Sequence, residues 1–358
     1  MSGMPPLKPS RRWYQFGLST LLVAVTLISL PLGYVAWERE QCRRGKEALE
    51  MLRNAESNLG TWSESSPSGR PAWLKTVIGD DDFRAVDEVT LRGNTISDSD
   101  LRLLAALPNL HDIGIIDANV TDDGVAYLRN LQFVEVLRIW GNPQVTAKDW
   151  GFLGDWRHLR SLSFHDNHSD PGVPDFPALT SLKDLHVTDI PITAATLDTI
   201  SRQTTVEYLA LNNTGVTDAD LRHLSRLKNL RSLFLFGTNV RGSGLTHLAE
   251  PAKLENLCLT GCPVSDDGLA PLAAMTRLDW LDLNDTQVTD QGLGRLAKLK
   301  SLRKLFLEGT KVSDEGILQL RQLANLTDLT LYRTNVTAAG AAELRKAMPK
   351  ATIQHWDR

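Results

Sequence analysis

The residues best suited to metal binding or acid–base chemistry cluster in one irregular segment, HDNHSDPGVPDFP, which begins at His165. It brings His165, Asp166, His168 and Asp170 close together in sequence, and His186 follows downstream. Imidazole nitrogens and carboxylate oxygens are suitable zinc ligands. Histidines in a proline-rich loop without an apolar framework, however, are commonly ordinary turn residues. A metal-dependent module or enzyme centred on His165, His168, Asp170 and His186 is therefore an alternative, and no metal ligand is assigned.

Other signatures of catalysis or nucleic-acid binding are not found in the sequence. It contains no GxSxG, Walker, HExxH or strand-associated GxGxxG motif. Cys42, Cys258 and Cys262 are too few and too irregularly spaced for a disulfide framework and form no CxxC pair. A formal net charge of -4 argues against a nucleic-acid surface. We therefore predict that the chain is not an enzyme, uses no cofactor and binds no nucleic acid.

The elements that position these residues follow a 24-residue repeat, LxxLxLxxTxVTDxGLxxLxxLxx. Its first leucine recurs at Leu230, Leu254, Leu278, Leu302 and Leu326, and earlier units hold Val86, Leu110, Val134, Leu159, Leu182 and Val206 at that position. Eleven units thus fill residues 86–349. The unit from Val134 has 25 residues and the unit from Leu159 has 23, and the latter has lost its helical pattern.

Each unit combines two hydrophobic periods. The LxxLxL segment alternates with period two, which predicts a short strand with leucines on one face. The GLxxLxxL segment has helical spacing on one apolar face. One strand and one helix cannot bury these faces alone, so the units must stack with parallel strands. Strands are more closely spaced than helices, which predicts an arc with the sheet on its inner side.

This repeat resembles that of the leucine-rich-repeat proteins, in the 24-residue form with Thr or Cys at the ninth position. The resemblance implies an α/β solenoid, a right-handed β-α superhelix with a parallel sheet on the concave face. It also implies an internal ladder that hydrogen-bonds to the turns, formed here by Thr214, Thr238, Cys262, Thr286, Thr310 and Thr334. Ala118 and Ile190 depart from this column.

An acidic column recurs where each helical segment begins. Its members follow a Thr or Ser and are Asp98, Asp122, Asp218, Asp266, Asp290 and Asp314. Such hydroxyls cap free N–H groups, and carboxylates favour the positive end of a helix dipole. We therefore expect helix capping from this column and not a metal or catalytic site.

The N-terminal segment predicts a membrane anchor. Residues 16–37 carry no charge, are flanked by aromatic side chains and are long enough for a bilayer-spanning helix. A cleaved signal peptide is the alternative. The predicted organisation is a cytoplasmic tail (1–15), transmembrane helix (16–37), charged helical stalk and flexible linker (38–70), N-terminal cap (71–85), eleven repeats (86–349) and capping strand (350–358). The layout is similar to that of membrane-anchored bacterial leucine-rich-repeat proteins, and we expect an extracytoplasmic repeat domain.

The third, fifth and seventh residues of each unit point away from the leucine core, where a partner can touch them. The candidate partner-binding residues there are Arg138, Trp140, Tyr208, Phe234, Phe236, Trp280, Phe306 and Tyr332. Large rings on a solvated strand face gain no burial from the core, and aromatic residues and Arg often carry binding energy. The expected function is a membrane-tethered scaffold that binds a protein or peptide.

Two other interpretations of the aromatic residues and of the repeat remain open. The rings could simply stack as cross-strand pairs. A substrate receptor of a ubiquitin ligase is a further alternative, although no F-box-like helical segment precedes the repeats.

Overall fold

A computed structural model describes residues 18–54, 59–65, 85–107, 109–146, 150–166, 173–248 and 253–356. Within these residues, thirteen strands form one sheet in which each strand pairs with the next along the chain. The strands are β1 Leu59–Ser65, β2 Ala85–Arg92, β3 Asp112–Ile116, β4 Val136–Trp140, β5 Ser161–His165, β6 Asp184–Thr188, β7 Tyr208–Ala210, β8 Ser232–Phe234, β9 Asn256–Cys258, β10 Trp280–Asp282, β11 Lys304–Phe306, β12 Asp328–Thr330 and β13 Thr352–Gln354.

One helix precedes the sheet, and helical segments connect most of its neighbouring strands. The α-helices are α1 Leu18–Asn54, α2 Asp98–Leu104, α3 Asp122–Val125, α4 Ala194–Ser201, α5 Asp290–Leu296, α6 Asp314–Ile317 and α7 Ala338–Ala347. Segments of 3₁₀-helix cover Ala126–Asn130, Gly151–Asp155, Asp220–Arg226, Ser243–Leu248, Asp266–Ala274 and Leu318–Gln322. The repeat therefore tolerates either helix type between strands.

The leucine columns form the core, as the repeat predicts. Leu257, Leu281 and Leu305 lie side by side on β9, β10 and β11 and are fully buried. All pairings from β2 to β13 are parallel, which confirms a solenoid of stacked α/β units. The face of the sheet opposite the leucines is called the open face below.

The internal ladder is confirmed in its threonine rungs. The hydroxyls of Thr214, Thr238, Thr286, Thr310 and Thr334 each donate to the carbonyl oxygen of the leucine three residues earlier, at 2.6 to 2.8 Å. Buried Cys262 occupies the same column, but its Sγ lies 3.0 Å from the Leu235 carbonyl oxygen of the preceding unit. Burial raises the pKa of the Cys262 thiol, so this cysteine is a structural rung with little thiolate character.

Asn142 compensates for the missing rung at Ala118. Its fully buried amide donates to the carbonyl oxygens of Ile115 at 2.8 Å and Trp140 at 2.7 Å. Its Oδ1 accepts from the Ala118 N–H at 3.1 Å. Asn142 therefore supplies hydrogen bonds to the turn of the preceding unit, which the alanine at position 118 cannot make.

The acidic column joins neighbouring units, which corrects the expectation that it caps the helix that it opens. In α6, the Asp314 carboxylate accepts from the backbone N–H and hydroxyl of Thr337, at 2.8 and 2.7 Å. Asp98, Asp122, Asp266 and Asp290 bind the Thr or Ser 23 or 24 residues ahead in the same way, and Asp218 binds backbone N–H groups of the next unit. The hydroxyls do cap helices, as Thr337 does by accepting from the Gly340 N–H at 3.1 Å.

The regular spacing of aspartate and glycine in the repeat has a steric origin in this contact. A Cβ placed on Gly340 would lie 2.0 Å from Oδ1 of Asp314. We expect Gly340→Ala to lower the free energy of unfolding by about 1–3 kcal/mol, because the added methyl displaces the carboxylate. In an Asp314→Ala background, the same change should stabilise helix α7 by up to about 1 kcal/mol, the intrinsic preference for alanine over glycine. Urea denaturation of the four variants measures this reversal of sign, and an equal cost in both backgrounds would refute the steric account.

The unit from Leu159 contains no helix within its described residues, 159–166 and 173–181. Phe176 is buried there and packs on Phe164 of β5, which in turn contacts Trp150. Buried Gln203, which follows α4, accepts from the Leu179 N–H at 2.9 Å and donates to the Pro177 carbonyl oxygen at 3.1 Å. Aromatic packing and one glutamine thus replace the missing helical segment.

The N-terminal end of the core is covered differently from our expectation. Helix α1 was predicted to continue into a stalk with few residues to bury, yet Ala48 and Leu52 are buried in the core cluster. Strand β1 lies within the segment predicted to be a flexible linker and pairs antiparallel with β2. The cap predicted at 71–85 lies outside the described residues except for Ala85, which begins β2. Helix α1 and β1 therefore both contribute to closing this end.

Helix α1 also contains most of the predicted membrane anchor. In the part of the chain that the structure describes, no helix is long and apolar enough to span a bilayer. The transmembrane prediction for residues 16–37 is thus not confirmed. At the other end of the solenoid, β13 pairs in parallel with β12 and buries Ile353.

Candidate functional site

The open face carries three columns of side chains that run across the strands. The third, fifth and seventh residues of neighbouring units lie beside one another, as in the register Trp280–Lys304 and Asp282–Phe306 between β10 and β11. Leu281, between Trp280 and Asp282, points into the core. The sheet thus presents a continuous surface whose chemistry is set by every second strand residue.

Four of the predicted partner-binding residues form one continuous group with a histidine. His186, Tyr208, Phe234, Trp280 and Phe306 make up this aromatic row, which runs from β6 to β11. Successive ring centroids are 4.8, 4.9, 5.7 and 5.3 Å apart. These spacings are typical of interacting aromatic rings, so the row is a connected apolar ridge.

The row bridges β9 without using a ring from that strand. The outward residues of β9 are Asn256 and Cys258, both smaller than the rings on either side. Cys258 is buried, and this burial raises the pKa of its thiol. Phe234 and Trp280 therefore meet across two strand spacings because the intervening side chains leave room.

The rings shield one another, in contrast to our expectation that they gain no burial. Tyr208, Phe234, Trp280 and Phe306 are all half-buried. Desolvation raises the pKa of the Tyr208 hydroxyl and lowers that of His186. The rings are therefore partly desolvated, and each keeps part of its surface exposed to solvent.

Trp140 belongs to a separate group at the N-terminal end of the open face. Its indole N–H donates to the Ser163 hydroxyl at 2.9 Å, and its ring meets that of His165 edge-on at 6.0 Å. A cavity of about 480 Å³ lies here, lined by Arg92, Ile116, Asp117, Trp140, Gly141, Ser163, His165, Asp166, His186 and Thr188. His186 thus joins this cavity to the aromatic row.

Arg138 is engaged within the sheet. Its guanidinium makes two hydrogen bonds to the Asp112 carboxylate on the neighbouring strand, at 2.6 and 2.8 Å. Such a bidentate pair is geometrically specific and holds both side chains. A partner would therefore meet a neutral pair here and not a free cation.

The remaining two predicted residues lie outside the aromatic row. Phe236 is 43 % exposed and makes no ring pair with its neighbour Phe234 in the described part of the chain. Tyr332 meets Trp356 edge-on at 5.3 Å and donates to Oε1 of Gln354 at 2.9 Å. The structure therefore places four of the eight predicted residues in the aromatic row and separates the other four from it.

The alternative metal site is only partly described. Nδ1 of His165 lies 3.2 Å from the Asp189 carboxylate, whereas His168 and Asp170 are outside the described residues. Among the described residues, no group of three or more His, Cys, Asp or Glu side chains has a metal-binding arrangement. Nothing in the described geometry favours this alternative.

Two polar members of the open face were not placed in the site by sequence reasoning. His186 was named for the metal alternative but not among the candidate partner-binding residues, although it stacks on Tyr208. Asp282 was not named, although it lies between ring-bearing positions and its pKa is raised by burial. The outward register of β6 and β10 was a sufficient signal for both positions.

Comparisons with known proteins bear on the fold. No protein-family model matches the sequence, and no curated protein matches it significantly. An internalin from Listeria monocytogenes is structurally similar, with a TM-score of 0.55 and 20 % identity over 72 % of this chain and 70 % of that one.

Two plant receptor structures show weaker similarity. One is the ectodomain of the Arabidopsis thaliana receptor kinase GASSHO1/SCHENGEN3 in complex with CASPARIAN STRIP INTEGRITY FACTOR 2, with a TM-score of 0.45 and 16 % identity over 71 % of this chain and 33 % of that one. The other is the peptide hormone receptor RGFR1 in complex with RGF2, with a TM-score of 0.40 and 17 % identity over 66 % and 42 %. Its stacked parallel strands, buried leucine columns and hydroxyl ladder give the chain the leucine-rich-repeat fold.

Proposed function

We propose that the chain is a binding protein that captures a protein or peptide segment along the aromatic row. In an arc with the sheet on its inner side, the open face is the concave one. The observation that carries the proposal is the row itself, a half-buried ridge of connected rings on the solvent side of the sheet. Aromatic side chains in partly desolvated positions are enriched among residues that dominate binding energy.

Cross-strand stacking alone is the competing explanation for the row. Ring pairs contribute about 0.5–1.5 kcal/mol each to stability, and the observed centroid distances permit this contribution. Stacking for stability and binding of a partner differ in one measurable respect. Only binding requires that replacing the rings abolish capture while the fold remains intact.

A peptide-display experiment separates these explanations. The full chain in detergent is panned against a library of random 12-residue peptides, and the tightest peptide is resynthesised for affinity measurement. We expect Phe234→Lys combined with Trp280→Lys to weaken that peptide by about 10- to 100-fold, because these changes remove the apolar surface that the peptide covers.

The control is Phe236→Lys, which introduces one lysine on the same face but outside the row, where the row variant introduces two. It should retain the affinity of the unmodified chain, and circular dichroism should show that all variants are folded. Equal affinity of the row variant and the unmodified chain would remove the proposal.

We further propose that the N-terminal segment tethers the protein to a membrane with the repeats outside the cytoplasm. The support is the uncharged sequence of residues 16–37, which is rich in Leu, Val and Ile. The chain should stay with membranes during alkaline carbonate extraction, whereas a chain beginning at residue 38 should be released. Protease protection in intact cells tests the orientation. Release of the full chain by carbonate would contradict the tether.

A further inference from the structure

Asp282 is an acidic neighbour of the aromatic row on β10. Its backbone pairs with that of Phe306 on β11 and with that of Cys258 on β9. Trp280 precedes it by two residues and so lies on the same face of the strand. The Trp280 ring is 5.7 Å from that of Phe234 and 5.3 Å from that of Phe306. Three rings therefore border the side of the sheet from which this carboxylate projects.

The hydrogen bonds of Asp282 come from neutral groups. Its Oδ1 accepts from the Asn284 N–H at 2.9 Å, and the Thr260 side chain also hydrogen-bonds to it. Among the described residues, no cationic side chain forms an ion pair with Asp282. Burial is the largest cause of its raised pKa. A carboxylate that is desolvated beside rings gains most from a cation that arrives with a partner.

The surrounding charge is also negative. Asp285 and Glu308 both act on Asp282 and raise its pKa further. Arg333 binds these two outer carboxylates, at 2.9 Å to Asp285 and 3.1 Å to Glu308. The one positive charge of Arg333 does not balance the three carboxylates of Asp282, Asp285 and Glu308, so this group has an excess of negative charge.

Lys304 is a second cationic residue near this position. It is exposed, pairs in register with Trp280 and makes no ion pair with Asp282 in the described structure. Arg333, whose backbone φ is 52°, shows in addition that the outer carboxylates bind a guanidinium. The local charges therefore favour a further cation at Asp282.

We propose that the site bordered by Phe234, Trp280 and Phe306 around Asp282 receives the lysine or arginine side chain of the bound peptide segment. The proposal rests on the binding function above and specifies the chemistry of the partner. The carboxylate supplies charge complementarity, and the ring faces attract a cation through their quadrupoles. An acidic segment would meet repulsion from Asp282, Asp285 and Glu308.

The test uses the same 12-residue display library and three forms of the full chain. These are the unmodified chain, Asp282→Asn and the control Asp328→Asn. Asp328 lies on the same face of β12 and pairs in register with Lys304, so the control removes the same charge one strand beyond Phe306. Asparagine at position 282 keeps the shape of the side chain and its acceptor for the Asn284 N–H.

We expect peptides selected by the unmodified chain and by Asp328→Asn to share one enriched Lys or Arg position. The Asp282→Asn variant should keep the apolar preference and lose the basic one. For a resynthesised peptide, Asp282→Asn and replacement of the basic residue by Gln should each weaken binding about tenfold. Both changes together should weaken it little further, because each removes the same interaction.

Any other outcome contradicts at least one of the two proposals. Selection of apolar peptides without a basic position by the unmodified chain overturns this inference and leaves the proposed binding function standing. Retention of the basic preference by Asp282→Asn, or additive effects of the two changes, also overturns it. Failure of the unmodified chain to select any peptide removes both proposals.

Discussion

The Asn142→Leu variant is expected to lose about 3–5 kcal/mol in the free energy of unfolding. The side chain is fully buried and serves the Ala118 N–H and the carbonyl oxygens of Ile115 and Trp140. Leucine has a similar size but removes the partner of the Ala118 N–H and the Ile115 carbonyl oxygen, and a buried unsatisfied group costs about 1–3 kcal/mol. The Trp140 carbonyl oxygen keeps its hydrogen bond from the Asp117 N–H. Urea denaturation followed by circular dichroism measures the loss.

Thr310→Val is the matched control for Asn142→Leu. It removes one hydroxyl that donates to the Leu307 carbonyl oxygen at 2.6 Å, at a rung with an otherwise regular turn. Its expected cost is about 1 kcal/mol, the net value of one hydrogen bond. If Asn142→Leu lowers the free energy of unfolding no more than Thr310→Val does, the hydrogen bonds of Asn142 do not stabilise the turn at Ala118.

The Leu281→Ala variant should lose about 2–5 kcal/mol, because the truncated side chain leaves a cavity between Leu257 and Leu305. The adjacent Trp280→Ala variant removes a larger side chain but from the open face. It should cost only about 0.5–1.5 kcal/mol for each ring pair that it breaks. Peptide affinity should respond in the opposite way, falling in Trp280→Ala and not in folded Leu281→Ala.

This pair of variants tests the two faces of one strand independently. Measurements below the unfolding temperature of Leu281→Ala keep its fold intact during the affinity assay. Similar stability losses for the two variants would indicate that the aromatic row is part of the structural core. Similar affinity losses would contradict the division between a leucine face and a binding face.

The repeat array could be predicted from sequence because its signals are local. Alternating leucines identify the strand and its buried face within six residues, as the burial of Leu257 and Leu281 shows. The partners of the acidic column could not be found in the same way. Asp314 binds Thr337, 23 residues ahead, so its role depends on how two units stack.

The N-terminal region was less predictable because it has no repeat. The charged sequence after residue 37 favoured an isolated stalk, and only the tertiary structure shows that Ala48 and Leu52 contact the core. Two buried positions four residues apart are a weak signal in the charged part of the helix that follows residue 37.

The binding face was predictable by position but not by grouping. Alternation placed Tyr208, Phe234 and Trp280 outward, yet it did not show that the last two meet across β9. That contact depends on the small size of Cys258 and Asn256. Tyr332 was also placed outward, at the seventh position of its unit, but it pairs with Trp356 near the chain end. Side-chain volume on intervening strands thus decides which outward residues join.

The length of the aromatic row also determines how long a ligand must be to touch both of its ends. It begins on β6 and ends on β11, with each strand bonded to the next. At about 4.8 Å for each of these steps, the distance across the sheet is about 24 Å. An extended chain advances about 3.4 Å per residue, so about seven residues are needed to touch both ends. Shorter ligands can engage His186 or Phe306 but not both, and their affinity should rise with length until that span is reached.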